Sequence, residues 1–211
     1  RNGWLFYRQD VEYITRPAFL DPAQTRRRIV GAPEWTNPPQ PDPRKAIVQF
    51  KRDLDVRGIT LVVMPTPPKP GVHPEMLAGR YVSATDVLQN PSYRAFVEDL
   101  RRDGVLVFDP SDTLAAARRS DPQYLATDTH WRPETMESVA ALLGEFITAR
   151  ARLPDAADPR YRIERIEMRN IGDMARMLDL PEGSVLFPPE TVWLRRVLQP
   201  DGSLWRSSRD A

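Results

Sequence analysis

Apolar positions fall into short runs punctuated by proline and glycine, and their spacing switches between helical and extended periods along the chain. Ile47, Phe50 and Leu54 recur at helical spacing, with Ala46 and Val56 near the same stripe. Asp42 stands where a capping residue would, Pro43 at the first helical position, and Gly58 at the stop. Next comes Ile59-Thr60-Leu61-Val62-Val63-Met64, apolar on both faces and β-branched, which predicts a strand inside a parallel sheet. Tyr93, Phe96, Val97 and Leu100 mark a second amphipathic helix within Ser92 to Arg102, and Val105 to Phe108 reads as a second buried strand. Ser111 or Asp112 caps a third helix running to Arg119. A long helix from Glu134 to about Leu153 turns Met136, Val139, Leu142, Leu143, Phe146 and Ile147 inward.

Alternating helices and strands with short connections predict a parallel sheet wrapped by helices, an α/β fold in which strand ends gather on one rim. The flanking regions are less regular. Gly3 to Tyr7 reads as a short aromatic strand, and the proline cluster from Pro33 to Pro43 as an extended connection. Tyr161 to Ile166 and Thr191 to Leu198 suggest further strands, with one or two helical turns at Gly172 to Leu178. At 211 residues, one domain spanning 1–211 is the size expectation.

Composition narrows the function classes. Hydrophobic residues at 41% and charged residues at 28% are globular proportions. A net charge of +1 supplies no field that would gather nucleic acid. Of the 30 basic residues only Lys45, Lys51 and Lys69 are lysine, a bias without mechanistic content. No apolar run approaches the roughly 20 residues that span a bilayer. The chain starts at Arg1-Asn2-Gly3-Trp4 without a methionine, which leaves room for a trimmed targeting segment.

The candidate chemistry centres on Asp128-Thr129-His130-Trp131-Arg132-Pro133, where a carboxylate stands two residues from one of only two histidines. In an extended segment such side chains share one face. A carboxylate that fixes an imidazole's tautomer makes a general base, so Asp128 and His130 form a candidate catalytic pair. The competing local reading makes Asp128 and Thr129 capping residues of the helix that Pro133 begins. No metal or other cofactor is expected, since a chain with no cysteine and only His73 besides His130 offers few ligands. The loop Pro65 to Gly71, at the carboxyl end of the first strand, lies where open α/β sheets bind ligands. Lys69 and His73 are accordingly candidate contacts for an anionic substrate, against the alternative of a solvated lysine and a surface histidine.

Four segments together resemble the SGNH-hydrolase-like domain of the alginate O-acetyltransferases of the AlgX and AlgJ type: Gly3-Trp4-Leu5-Phe6, Leu61 to Lys69, Asp128-Thr129-His130-Trp131, and Gly172 to Leu178. The resemblance implies a flavodoxin-like three-layer fold with a mostly parallel sheet. It also implies acetyl transfer to hydroxyls of an exported bacterial polysaccharide, in the periplasm, through an acetyl-serine. Asp128 would orient the imidazole and His130 would act as base and then acid. The polysaccharide, a membrane-bound acyltransferase that donates acetyl groups, and other exopolysaccharide export proteins are the implied partners. In that family the serine follows the Asp-x-His element in a Gly-Asp-Ser turn. No Gly-Asp-Ser occurs here, so the nucleophile is expected beyond Ala211, and Ser207 and Ser208 read as linker.

Two other functions compete. A carbohydrate acetyl-esterase of the same fold would pass the acyl group to water. A non-catalytic polysaccharide-binding or scaffold subunit would use an aromatic platform drawn from Trp4, Trp35, Trp131, Trp193 and Trp205. Trp35, within the proline-rich stretch, is the candidate for sugar contact.

Overall fold

The structure is a computed structural model that describes residues 2–30, 40–81, 86–153, 161–181 and 185–205. The chain divides into two compact units, one formed by Phe6–Asp121 and the other by Asn2–Leu5 with Pro122 onward.

The first unit contains the α/β pattern. Helices α1 (Arg8–Thr15) and α2 (Pro22–Val30) precede α3 (Pro43–Asp55), and α6 (Tyr93–Arg102) leads into the second strand. Strands β1 (Val62–Val63) and β2 (Leu106–Val107) pair in parallel, Val62 with Leu106 and Val63 with Val107. Between them run the short helical turns α4 (Lys69–Val72) and α5 (Pro74–Leu77), then α6. The core gathers Val97, Leu100, Val105 and Val107 against Ile47, Val48, Leu61, Val63, Tyr93 and Phe96. Asp42 caps α3 by accepting the Arg44 amide at 3.0 Å, as its sequence position demanded. Asn90, buried, ties the α1–α2 connection to the start of α6: Oδ1 accepts from the Phe19 and Ser92 amides, and Nδ2 donates to the Tyr13 carbonyl.

Several expectations change here. The apolar run from Ile59 to Met64 pairs over two residues only, and Ile59 is about half exposed. The parallel pairing is therefore present but short, and the longest ladder among the described residues is antiparallel. Gly3 to Tyr7 forms no strand, and the polar segment after it is helical. On α3 the core-facing side runs through Ile47 and Val48, leaving Phe50 and Val56 exposed. Helix α7 (Ser111–Ala117) takes Pro110 as its N-cap, with Ser111 and Asp112 inside the first turn and the Ser111 amide held by Asp109 Oδ1 at 3.0 Å.

The second unit is built on the antiparallel pair β3 (Arg162–Asn170) and β4 (Glu190–Leu198), in register from Arg162 opposite Leu198 to Asn170 opposite Glu190. Helix α8 (Pro133–Thr148) buries Val139 and Thr135, whereas Met136, predicted inward, is 55% exposed. Helix α9 (Asp173–Met177) follows β3 and buries Met174 and Ala175.

Candidate active site

The segment from Gln123 to Arg132 doubles back on itself. Tyr124 bridges Trp131, the Arg132 amide donates to the Gln123 carbonyl at 3.0 Å, and the Leu125 amide to the His130 carbonyl at 3.3 Å. The rings of Tyr124 and Trp131 meet edge to face, 6.3 Å between centroids. Residues 126–129 thus form the tip of a closed loop, and the amide of Leu5 fastens that tip at the Ala126 carbonyl, 2.9 Å away.

The end of the β3–β4 ladder holds the loop from the other side. Glu190 Oε1 accepts from the amides of Ala126 (2.8 Å) and Thr127 (3.3 Å). Asn170, directly opposite Glu190 in register, donates from Nδ2 to Asp128 Oδ2 at 2.9 Å. Because residues at one register position share a face of the sheet, the pairing delivers both polar groups to the same loop.

Asp128 is buried, and its Oδ1 lies 2.6 Å from His130 Nδ1 while accepting the His130 amide at 2.9 Å. Its Oδ2 accepts from Asn170 and from the Asp173 amide at 3.1 Å. Burial alone would raise this carboxyl's pKa, but the donated hydrogen bonds from Asn170, His130 and the two amides outweigh it and hold it down to about 2. The His130 side chain is 78% exposed, and no described residue hydrogen-bonds its Nε2. An ionised carboxylate thus grips one ring nitrogen while the other faces outward, which is the geometry of a general base.

The capping reading of Asp128 and Thr129 does not hold. Helix α8 takes Arg132 as N-cap with no side-chain cap bond, and both side chains are engaged elsewhere, Asp128 by His130 and Thr129 by Asp173. Thr129 donates its amide to Asp173 Oδ1 at 2.7 Å and its hydroxyl to Asp173 Oδ2. Asp173 Oδ2 in turn lies 3.7 Å from His130 Nδ1. Ligand atoms of Asp128, His130 and Asp173 lie within 4.8 Å of one another, close enough to consider a metal. The donor set does not fit one, since the oxygens of both carboxylates already accept N–H or O–H bonds that a cation would have to displace.

The other candidates fare differently. Lys69 and His73 belong to the first unit and are 1% and 2% exposed, so neither the surface role nor the solvated alternative describes them. The prolines did not hold the segment as an open loop; Pro68 and Pro70 suit a first helical turn, and α4 is buried throughout. Lys69 Nζ sits 5.4 Å from the centre of the Phe6 ring, and His73 Nδ1 contacts Glu75 Oε1 at 2.9 Å. Trp35 lies outside the described residues, as do Ser207 and Ser208. Trp131 is packed on Tyr124, the Trp193 ring is overlaid by the Arg165 guanidinium at 4.3 Å, and Trp205 is about half exposed.

Sequence reasoning missed Asn170, Asp173 and Glu190 as parts of the site. Asp173 fell within the segment read as helical turns, and its signal was that this segment, Gly172 to Leu178, is one of the four that carry the resemblance.

Comparison with known proteins shows what the chain as a whole is similar to. The chain is 33% identical over 97 residues to the probable alginate O-acetylase AlgJ of Pseudomonas aeruginosa, covering 46% of this chain and 24% of that protein. To the corresponding protein of Pseudomonas syringae pv. tomato it is 29% identical over 158 residues, covering 74% of this chain and 39% of that one. The chain thus spans well under half the length of these curated relatives. Its fold is similar to the O-acetyltransferase domain of Pseudomonas putida AlgJ, with TM-score 0.64 and 20% identity over 95% of this chain and 64% of that one. It is also similar to Pseudomonas aeruginosa AlgX, with TM-score 0.51 and 17% identity over 79% and 39%. Residues 1–209 match the family described as SGNH hydrolase-like domain, acetyltransferase AlgX, and the chain belongs to that family.

Proposed function

We propose that this chain carries the Asp–His half of an O-acetyltransferase site that modifies hydroxyls of an exported, alginate-like polysaccharide. The observation that carries the reading is the 2.6 Å contact between Asp128 Oδ1 and His130 Nδ1, with Nε2 left to the outside of an imidazole that is mostly exposed. Family membership supplies the acyl-transfer class.

In this reading Nε2 of His130 takes the proton of a serine hydroxyl as its oxygen attacks the acetyl carbonyl of the donor. The imidazolium, stabilised by Asp128, returns that proton to the donor's leaving oxygen or sulfur as the tetrahedral adduct collapses to acetyl-serine. A sugar hydroxyl then loses its proton to Nε2, attacks the acetyl-serine, and the serine oxygen leaves as the alcohol with the proton from His130. Asp128 stays ionised throughout. The reaction belongs to the periplasm, with a membrane-bound acyltransferase delivering acetyl groups and export proteins delivering polymer.

Replacing His130 by Ala in the complete gene product is expected to reduce polymer acetylation to background. Unchanged acetyl content would overturn the proposal. An acetyl-ester donor offered with and without oligosaccharide separates transfer from hydrolysis: acetylated sugar supports the transferase, and acetate alone makes the protein an esterase.

A further inference from the structure

The Asp128–His130 pair is held by a segment more than forty positions away in sequence, and that segment contributes a second carboxylate. Consider the proton on the ring. His130 Nδ1 faces Asp128 Oδ1 at 2.6 Å, Thr129 Oγ1 at 3.4 Å and Asp173 Oδ2 at 3.7 Å. The Thr129 hydroxyl hydrogen points to Asp173 Oδ2, so toward the ring the Thr129 oxygen can only accept. Every group around Nδ1 is therefore an acceptor, and two are carboxylates. No described residue hydrogen-bonds Nε2.

We infer that Asp173 and Asn170 are positioning residues that commit neutral His130 to the Nδ1–H tautomer, Asp173 through Thr129 and Asn170 through Oδ2 of Asp128. The division of labour follows from the contacts. Asn170 Nδ2 and the Asp173 amide occupy Oδ2, which fixes the carboxylate plane and leaves Oδ1 to the imidazole. The Asp173 side chain fixes Thr129 at both its amide and its hydroxyl, so the residue between Asp128 and His130 cannot rotate. A free imidazole favours the proton on Nε2; a base acting from Nε2 needs it on Nδ1.

This inference deepens the acetyltransferase reading and rests on it for its kinetic part only. The test uses the complete protein labelled with [15N]histidine, the His130 signals being those that vanish in His130→Gln. Wild type is expected to show a protonated Nδ1 and a bare Nε2 above the titration range. Asp173→Asn and Asn170→Ala should each raise the Nε2–H population. They should also lower kcat for acetyl transfer about tenfold or more, as removal of orienting partners does, with KM within about twofold because substrate contacts are untouched. Thr129→Ser should keep the wild-type spectrum and rate, whereas Thr129→Val should behave like Asp173→Asn. A wild-type tautomer spectrum in Asp173→Asn or Asn170→Ala overturns the inference. If those variants fail to fold, Thr129→Val decides it, and a wild-type spectrum there overturns it equally. Should His130→Ala leave polymer acetylation intact, the acetyltransferase reading fails while the tautomer result still stands or falls by itself.

Discussion

Gly172 approaches Thr127 so closely that a Cβ at position 172 would stand 2.3 Å from the Thr127 carbonyl oxygen and 2.5 Å from its hydroxyl oxygen. The backbone there has φ of 85° and ψ of 144°, a region essentially reserved for glycine. Thr127 answers the approach with two bonds: its hydroxyl donates to the Ile171 carbonyl at 2.8 Å and its carbonyl accepts the Ala175 amide at 3.3 Å. This contact is what lets Asn170 and Asp173 reach Asp128.

Gly172→Ala combines a strained dihedral with a backbone overlap, and its cost is expected to be at least about 2 kcal/mol. For a chain of this length that corresponds to a melting temperature lower by about 4–8 °C. Thermal unfolding of the purified variant reads it directly, and a melting temperature equal to wild type would show that the close approach is not maintained in solution.

The acid limb of stability should carry the signature of Asp128. Folded, its carboxyl is held down to about 2; unfolded, it titrates near 3.8. Between those values the unfolded chain binds the proton and the native chain does not, so stability rises with pH across the window. The contribution is fully present above about pH 4 and lost as pH falls to about 2, on the order of 2 kcal/mol in all. Denaturant titrations of wild type and Asp128→Asn over that range should converge as pH drops. Parallel curves would contradict the depressed value.

His73 predicts a dependence of the same sign in a different window, from a buried imidazole rather than a hydrogen-bonded carboxylate. Burial lowers its pKa from 6.5; Glu75 works against that shift, and the charges of Arg118 and Lys69 add to it. As pH falls below 6.5 the unfolded ring takes up a proton that the buried ring refuses, so stability declines; above 6.5 the residue contributes no slope. His73→Asn is expected to flatten the stability profile below about pH 6.5 relative to wild type. An unchanged profile would mean that the ring is solvated rather than enclosed.

Legibility in the sequence followed the range of the interaction concerned. The Asp42–Pro43 start of α3 and the extent of α6 were readable because caps, stop residues and helical periodicity act within a few residues. The strand from Ile59 to Met64 was overread: an apolar run registers its tendency to be buried, but pairing needs a partner, and β2 supplies one for Val62 and Val63 only. Lys69 was misplaced because a lysine among prolines carries no local mark of burial. Its position beneath α1, close to Phe6, comes from packing between residues more than sixty positions apart.

By itself the sequence determined the candidate pair, since Asp128 and His130 are two residues apart and their contact needs only an extended turn, and it determined the family through motifs short enough to read in order. Only the tertiary structure decided what surrounds that pair. Asn170, Asp173 and Glu190 reach the loop because the β3–β4 register and the glycine turn at Gly172 carry them there. Their bonds span more than forty residues of chain, so no local spacing encodes them. Closing so long a loop costs entropy that the assembled ladder and the buried network together offset.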